Sequence, residues 1–225
     1  MKGTIANTVA VALGAGLGLL LQKGIPERFK TTIMQGLSLA IFLIGVQMAL
    51  KTGNVLIVIG SLVSGGLIGE ALKLDHILEK LGQWFEKRLA TSTGNISKGF
   101  VTSSLVYCVG SMAVVGAIQD GLTGNAEVLY AKAMLDGIAS VIFSSTLGWG
   151  VMLSAVSVFI YQGAITLLAN SAGAFMTSAV IAEMTATGGL LIVAIAANML
   201  EVATIKVVNL LPAVFVSILL AFISG

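Results

Sequence analysis

Asn54-Val-Leu-Ile-Val-Ile-Gly-Ser-Leu-Val-Ser-Gly-Gly-Leu-Ile-Gly-Glu-Ala-Leu72 carries no charge before Glu70. A helix of this composition has no solvated face, and roughly 20 mostly apolar residues are what a helix needs to cross the hydrocarbon core of a bilayer. Working outward, comparable runs occupy 4–21, 32–50, 100–119, 132–149, 150–169, 186–203 and 205–223. Together they predict an all-α, polytopic integral membrane protein of about eight transmembrane helices.

Composition excludes the alternatives. The chain is 57% hydrophobic and 10% charged, where a soluble domain carries about a quarter charged residues. Its 27 glycines suit membrane helices whose backbones approach closely. A net charge of +2 without a recurring basic stripe gives no sign of a nucleic-acid partner. Cys108 stands alone, so there is no intrachain disulfide and no cysteine-rich metal site. The first run follows Lys2 without a clear cleavage motif and reads as a retained span.

The longest polar stretch, 73–98, divides the chain into a first helix group (1–72), a linker, and a second group (99–225). Within the linker Leu74, Ile77, Leu78, Leu81, Trp84, Phe85 and Leu89 recur at helical spacing opposite charged residues. That pattern predicts an amphipathic helix on the cytoplasmic membrane surface. Residues 170–187 are too polar and interrupted for a plain span, and a re-entrant segment is one reading of them, with seven, eight or nine crossings open. With eight crossings, Lys23, Arg28, Lys30, Lys73, Lys80, Lys87, Arg88, Lys98 and Lys206 gather on one side, against Lys2, Lys51 and Lys132 on the other. The positive-inside rule then makes the richer side cytoplasmic and puts both termini outside.

A weak internal repeat pairs 33–42 with 134–143, aligning Gly36 with Gly137 and Phe42 with Phe143. A competing match pairs 45–48 with 196–199. Either would be an inverted repeat of the kind found in secondary transporters.

Ionisable groups at membrane depth are costly and often mark a site. Asp136, near the start of the fifth run, is the first candidate. Ser144, Ser145 and Thr146 precede Leu147-Gly148-Trp149-Gly150, a combination that tolerates a broken helix with exposed carbonyls. Gln162 lies in Tyr161-Gln162-Gly163. Gln119, Asp120 and Asn198 are second choices, Asp120 being more readily read as a hydrated border carboxylate. The bland reading for each neutral residue is an interhelical hydrogen bond. Glu201 and Lys206 are expected to pair across a turn, Thr185 or Thr187 to cap a helix, and Pro212 to kink the last span. Gly14/Gly18 and Gly65/Gly69 read as close-packing faces, within one chain or between copies. No phosphate-binding loop is present, and one His with one Cys leaves little material for metal or nucleophilic catalysis.

The strings Gly116-Ala-Ile-Gln-Asp-Gly-Leu-Thr-Gly124, Leu135-Asp-Gly137, Ser145-Thr-Leu-Gly-Trp-Gly150, Tyr161-Gln-Gly163, Thr187-Gly-Gly-Leu-Leu191 and Asn209-Leu-Leu-Pro212 resemble a bacterial membrane family, domain of unknown function 554. The likeness runs across the whole chain. It implies a compact polytopic membrane protein, and the family's labels of membrane transporter imply transport without naming a substrate.

The combined expectation is a secondary transporter of an ion or small polar solute in the bacterial cytoplasmic membrane. It uses neither cofactor nor enzymatic step, its partners are the lipid bilayer and the solute, and a homodimer suits its 23.0 kDa. A channel, or a regulatory or assembly protein docking through 73–98, are the alternatives.

Overall fold

The computed structural model describes residues 1–22, 27–77, 79–80, 96–109, 111–169 and 176–224. Every regular element among them is a helix: α1 (Lys2–Gln22), α2 (Glu27–Ala49), α3 (Val55–Leu72), α4 (Ile96–Cys108), α5 (Ser111–Thr123), α6 (Glu127–Leu147), α7 (Gly150–Leu167), α8 (Ser178–Met199), α9 (Val207–Leu210) and α10 (Pro212–Ser224). Six stretches are long and apolar enough to cross a membrane, namely α1, α3, α6, α7, α8 and α9–α10 taken together. The pair α4–α5, bent by 58°, makes a seventh if read as one broken span. The remaining expected run, 32–50, lies in α2, whose apolar part Ser38–Ala49 is shorter. Large apolar side chains such as Leu13, Leu20, Leu56 and Phe215 point outward, as lipid-facing surfaces require. The protein is a multi-pass helical membrane protein.

Local chemistry sets the helix ends. Asn54 caps α3 by accepting from Leu56 N at 3.1 Å, and Lys73 closes it in the left-handed region at φ 51°. Gly148, at φ 75°, ends α6, and α7 begins two residues later. Because φ is positive there, a side chain would be strained. Pro212 opens α10, where its missing N–H costs no helical bond, and the last span is interrupted between Leu210 and Pro212 as its sequence predicts.

The helices form two compact units that interleave along the chain. One comprises Met1–Lys30 and Leu81–Ala174, the other Thr31–Lys80 and Phe175–Gly225. Packing therefore does not follow the sequence-order division at 73–98, because partners far apart in sequence supply the closest helix contacts. In the first unit α1 runs parallel to α6, with Gly14 against the Gly137 carbonyl and Ser140, and Gly18 against the Val141 carbonyl and Ser144. In the second, α3 runs antiparallel to α9–α10, with Gly65 on Ala213 and Gly69 on the Asn209 backbone. Gly45 of α2 meets Gly189 of α8 in the same way. Both glycine pairs thus serve packing within a unit.

Several expectations change. Helix α8 starts at Ser178, so 178–187 is the first half of a continuous span rather than part of a re-entrant segment; 170–175 lie outside the described residues. Thr177, not Thr185 or Thr187, caps it by accepting from Val180 N at 3.3 Å. Polar Glu183, Thr185 and Thr187 are buried within the helix, which hydropathy along the chain cannot distinguish from a loop. Lys206 pairs with Glu70 at 2.9 Å instead of Glu201; Glu201 itself adopts φ 59° in the turn after α8. Helix α6 begins at Glu127 rather than near 132, which moves Lys132 out of a loop and into a span. Of the expected amphipathic linker, 81–95 lie outside the described residues.

Candidate functional site

The first unit holds a polar cluster built by three helices. Two side chains one turn apart on α6, Lys132 and Asp136, are both buried. The Lys132 ammonium donates to Asp136 Oδ1 at 3.0 Å and lies 2.8 Å from Oδ2. Helix α1 adds Asn7, whose Nδ2 donates to Asp136 Oδ2 at 3.0 Å and to Gln162 Oε1 of α7 at 3.3 Å. One turn before Asn7, the hydroxyls of Thr4 and Thr166 meet at 3.2 Å. One turn beyond Asp136, Ser140 donates to the Tyr107 hydroxyl of α4 at 2.9 Å.

The helical period explains the convergence. Thr4 and Asn7, Lys132 and Asp136 with Ser140, and Gln162 and Thr166 each lie three or four residues apart and share a face. Close approach of α1 to α6 at Gly14 and Gly18 brings these faces into hydrogen-bond range. Asp136 is near the middle of the 21-residue α6, roughly 14 Å along from its start at 1.5 Å per residue. A buried lysine–carboxylate pair at such depth is neutral as a whole, and its charges are tolerable only while paired.

Two polar atoms of the cluster, Asn7 Oδ1 and Gln162 Nε2, have no hydrogen-bond partner among the described residues. Both side chains are fully buried. Unpaired groups of this kind are rare in native interiors and call for an explanation.

Residues 2–222 match the family described as "Protein of unknown function (DUF554)". The chain belongs to this family. It is 31% identical over 227 residues to "Uncharacterized membrane protein YdfK" of Bacillus subtilis (strain 168), covering 99% of this chain and 96% of the relative. It is 27% identical over 220 residues to "Uncharacterized protein YqgA" of Escherichia coli (strain K12), covering 96% and 94%. No solved structure matches.

In this DUF554 chain two of the eight candidates from sequence, Asp136 and Gln162, come together through Asn7. The α6 hydroxyls are committed elsewhere: Ser144 to the Ala15 carbonyl at 2.9 Å, Ser145 to Ile142 O, and Thr146 to Ile142 O and Phe143 O. No broken span exists at 144–150; Gly148 separates two complete helices. Asp120 is buried rather than hydrated and accepts from Gly3 N at 3.1 Å at the start of α1, with the Met1 amine 2.9 Å away. Gln119 is half-buried beside it on α5. Asn198 belongs to the other unit, where its amide clasps both backbone groups of Ile205 at 2.7 and 2.8 Å and pins the turn before α9. Asn7 and Lys132 were missed. Both carry a legible signal: Asn7 is a lone amide in an apolar run, and Lys132 stands four residues before a carboxylate on one helix.

Proposed function

We propose that the protein is a secondary transporter that moves an ion or small polar solute across the bacterial cytoplasmic membrane, using a site around Asp136 in the first unit. The observation supporting this reading most strongly is the buried Lys132–Asp136 pair, joined by Asn7 and Gln162 from two other helices. Ionisable residues inside membrane helices usually belong to substrate or ion pathways, and this network leaves two buried amide atoms without a partner among the described residues. The role is non-enzymatic. An inverted repeat relating 33–42 to 134–143, and a homodimer, belong to the same reading.

Purified protein reconstituted into liposomes tests it, with labelled sodium, amino acids and organic acids as solutes. The comparison is a Lys132→Met, Asp136→Leu double variant, which removes both charges together. Saturable uptake of one solute class by the parent and not by the variant is the expected result. Equal uptake by both would remove the site, conductance without saturation or exchange would make the protein a channel, and no uptake above protein-free vesicles would remove the transport reading.

A further inference from the structure

The polar cluster has a hydrogen-bond order that fixes its amides. Both oxygens of Asp136 are engaged by the Lys132 ammonium, and a further group facing the carboxylate has to be a donor. Asn7 therefore turns Nδ2 toward it. The same nitrogen reaches Gln162, which must answer with Oε1. One acceptor, Asn7 Oδ1, and one donor, Gln162 Nε2, are left over with no partner among the described residues. Both lie on side chains with no exposed surface, where unpaired polar groups are costly.

Charge narrows the ligand further. Lys132 and Asp136 cancel. Among the described residues the titratable side chains beside them are Tyr107 and Cys108 of α4; Tyr161 of α7 neighbours Cys108, and Asp120 of α5 is engaged at the start of α1. A ligand of net charge would leave the low-dielectric interior with an uncompensated ion. A simple cation would also face the Gln162 donor, and a simple anion the Asn7 carbonyl.

We propose that the site takes a small zwitterion, an ammonium and a carboxylate on a short carbon frame, as in a small α-amino acid. The ligand ammonium replaces that of Lys132 at Asp136 and donates to Asn7 Oδ1. The ligand carboxylate receives Lys132 Nζ and accepts from Gln162 Nε2. The charge sum is zero before and after, so binding neither takes up nor releases a proton. This inference rests on the transport reading and adds its substrate class.

Calorimetric titration of the detergent-purified full chain tests it, with L-alanine, glycine betaine, methylammonium chloride, sodium chloride and sodium acetate as probes, each in two buffers of different ionisation enthalpy. L-alanine is expected to bind with no proton exchange. Glycine betaine has no N–H for Asn7 and is expected to bind at least about tenfold more weakly, a difference of about 1.4 kcal/mol. Gln162→Met keeps both charges and similar bulk, and should weaken L-alanine binding by a similar factor while a cooperative thermal transition shows that the variant is still folded. The glycine betaine comparison needs no variant, so it decides even if Gln162→Met fails to fold. Binding of sodium or methylammonium with proton release, or of acetate alone, overturns the zwitterion while leaving transport standing. Equal affinity for L-alanine and glycine betaine overturns the assigned contacts. No binding by any probe, together with no liposome uptake, removes both readings.

Discussion

Lys132 Nζ lies 2.8 Å from Asp136 Oδ2 across one turn of α6, with both side chains buried. The spacing is the ordinary i, i+4 register of a helical ion pair, which at a surface contributes little. Burial changes the balance, because each charge is costly once its partner is gone.

Removing one partner should therefore destabilise more than removing both. Asp136→Asn and Lys132→Met are each expected to cost about 3 kcal/mol or more, by analogy with other buried pairs. The Lys132→Met, Asp136→Leu double variant should recover most of that loss. Unfolding midpoints in detergent measure the difference, and additive losses would show that the pair is not coupled.

Glycine positions separate by what faces them. A Cβ on Gly14 would overlap the Gly137 carbonyl, and one on Gly18 the Val141 carbonyl. Gly14→Ala or Gly18→Ala should push α1 from α6 and destabilise by about 1–3 kcal/mol. Gly36 in α2 has open space beside it, so Gly36→Ala should be neutral or gain up to about 1 kcal/mol from helix propensity. Thermal scans of the three variants give the comparison.

Glu183 holds the connection between α2 and α3. Its carboxylate accepts from Thr52 Oγ1 at 2.6 Å, Gly53 N at 2.7 Å and Asn54 N at 3.0 Å while nearly fully buried. Glu183→Ala leaves these donors unpaired and should cost about 1–3 kcal/mol. Faster amide exchange at Gly53 and Asn54 would locate the loss, and protection equal to the parent would count against the cap.

At the other end of α3, Glu70, Lys206 and Asp75 form an exposed cluster around buried Asn209, which donates to Glu70 Oε2 at 2.6 Å and accepts from Asp75 N at 2.8 Å. The His76 backbone N–H holds the Asp75 carboxyl below its ordinary 3.8, and the hydrogen bond to Glu70 holds Lys206 above its ordinary 10.5. A lowered carboxyl stabilises above its unfolded pKa and loses that contribution as pH falls through the folded value. A raised ammonium stabilises below its unfolded pKa and loses it as pH rises through the folded value. Their contribution should be flat between about pH 4 and 10, decline outside that window, and weaken with salt. Asn209→Leu should be more damaging than Lys206→Ala. A stability profile against pH and ionic strength checks all three statements.

Withdrawing Lys132 from the loops sharpens the charge asymmetry on which orientation rests, leaving Lys2 and Lys51 on the poorer side. Eight crossings, with α2 spanning beside the seven stretches counted above, would put both termini outside, and tags accessible at either terminus from outside intact cells are then the expected result.

The sequence by itself determined the solvent and the element type. Runs such as 54–72 have no face for water, and lipid admits a backbone that bonds within its own helix. It also marked the packing glycines, the interruption at Pro212, and Asp136 and Gln162 as groups out of place. Three matters were decided by tertiary structure alone: that Lys132 is interior, that Asn7 links two distant helices, and that Ser144, Asp120 and Asn198 are spent on backbone groups. Hydropathy reads one chain segment at a time, whereas a hydrogen-bond partner 129 residues away, as between Asn7 and Asp136, exists only once α1 has packed on α6. Whether a buried polar side chain binds a neighbour or is left over depends on that packing, and composition carries no record of it.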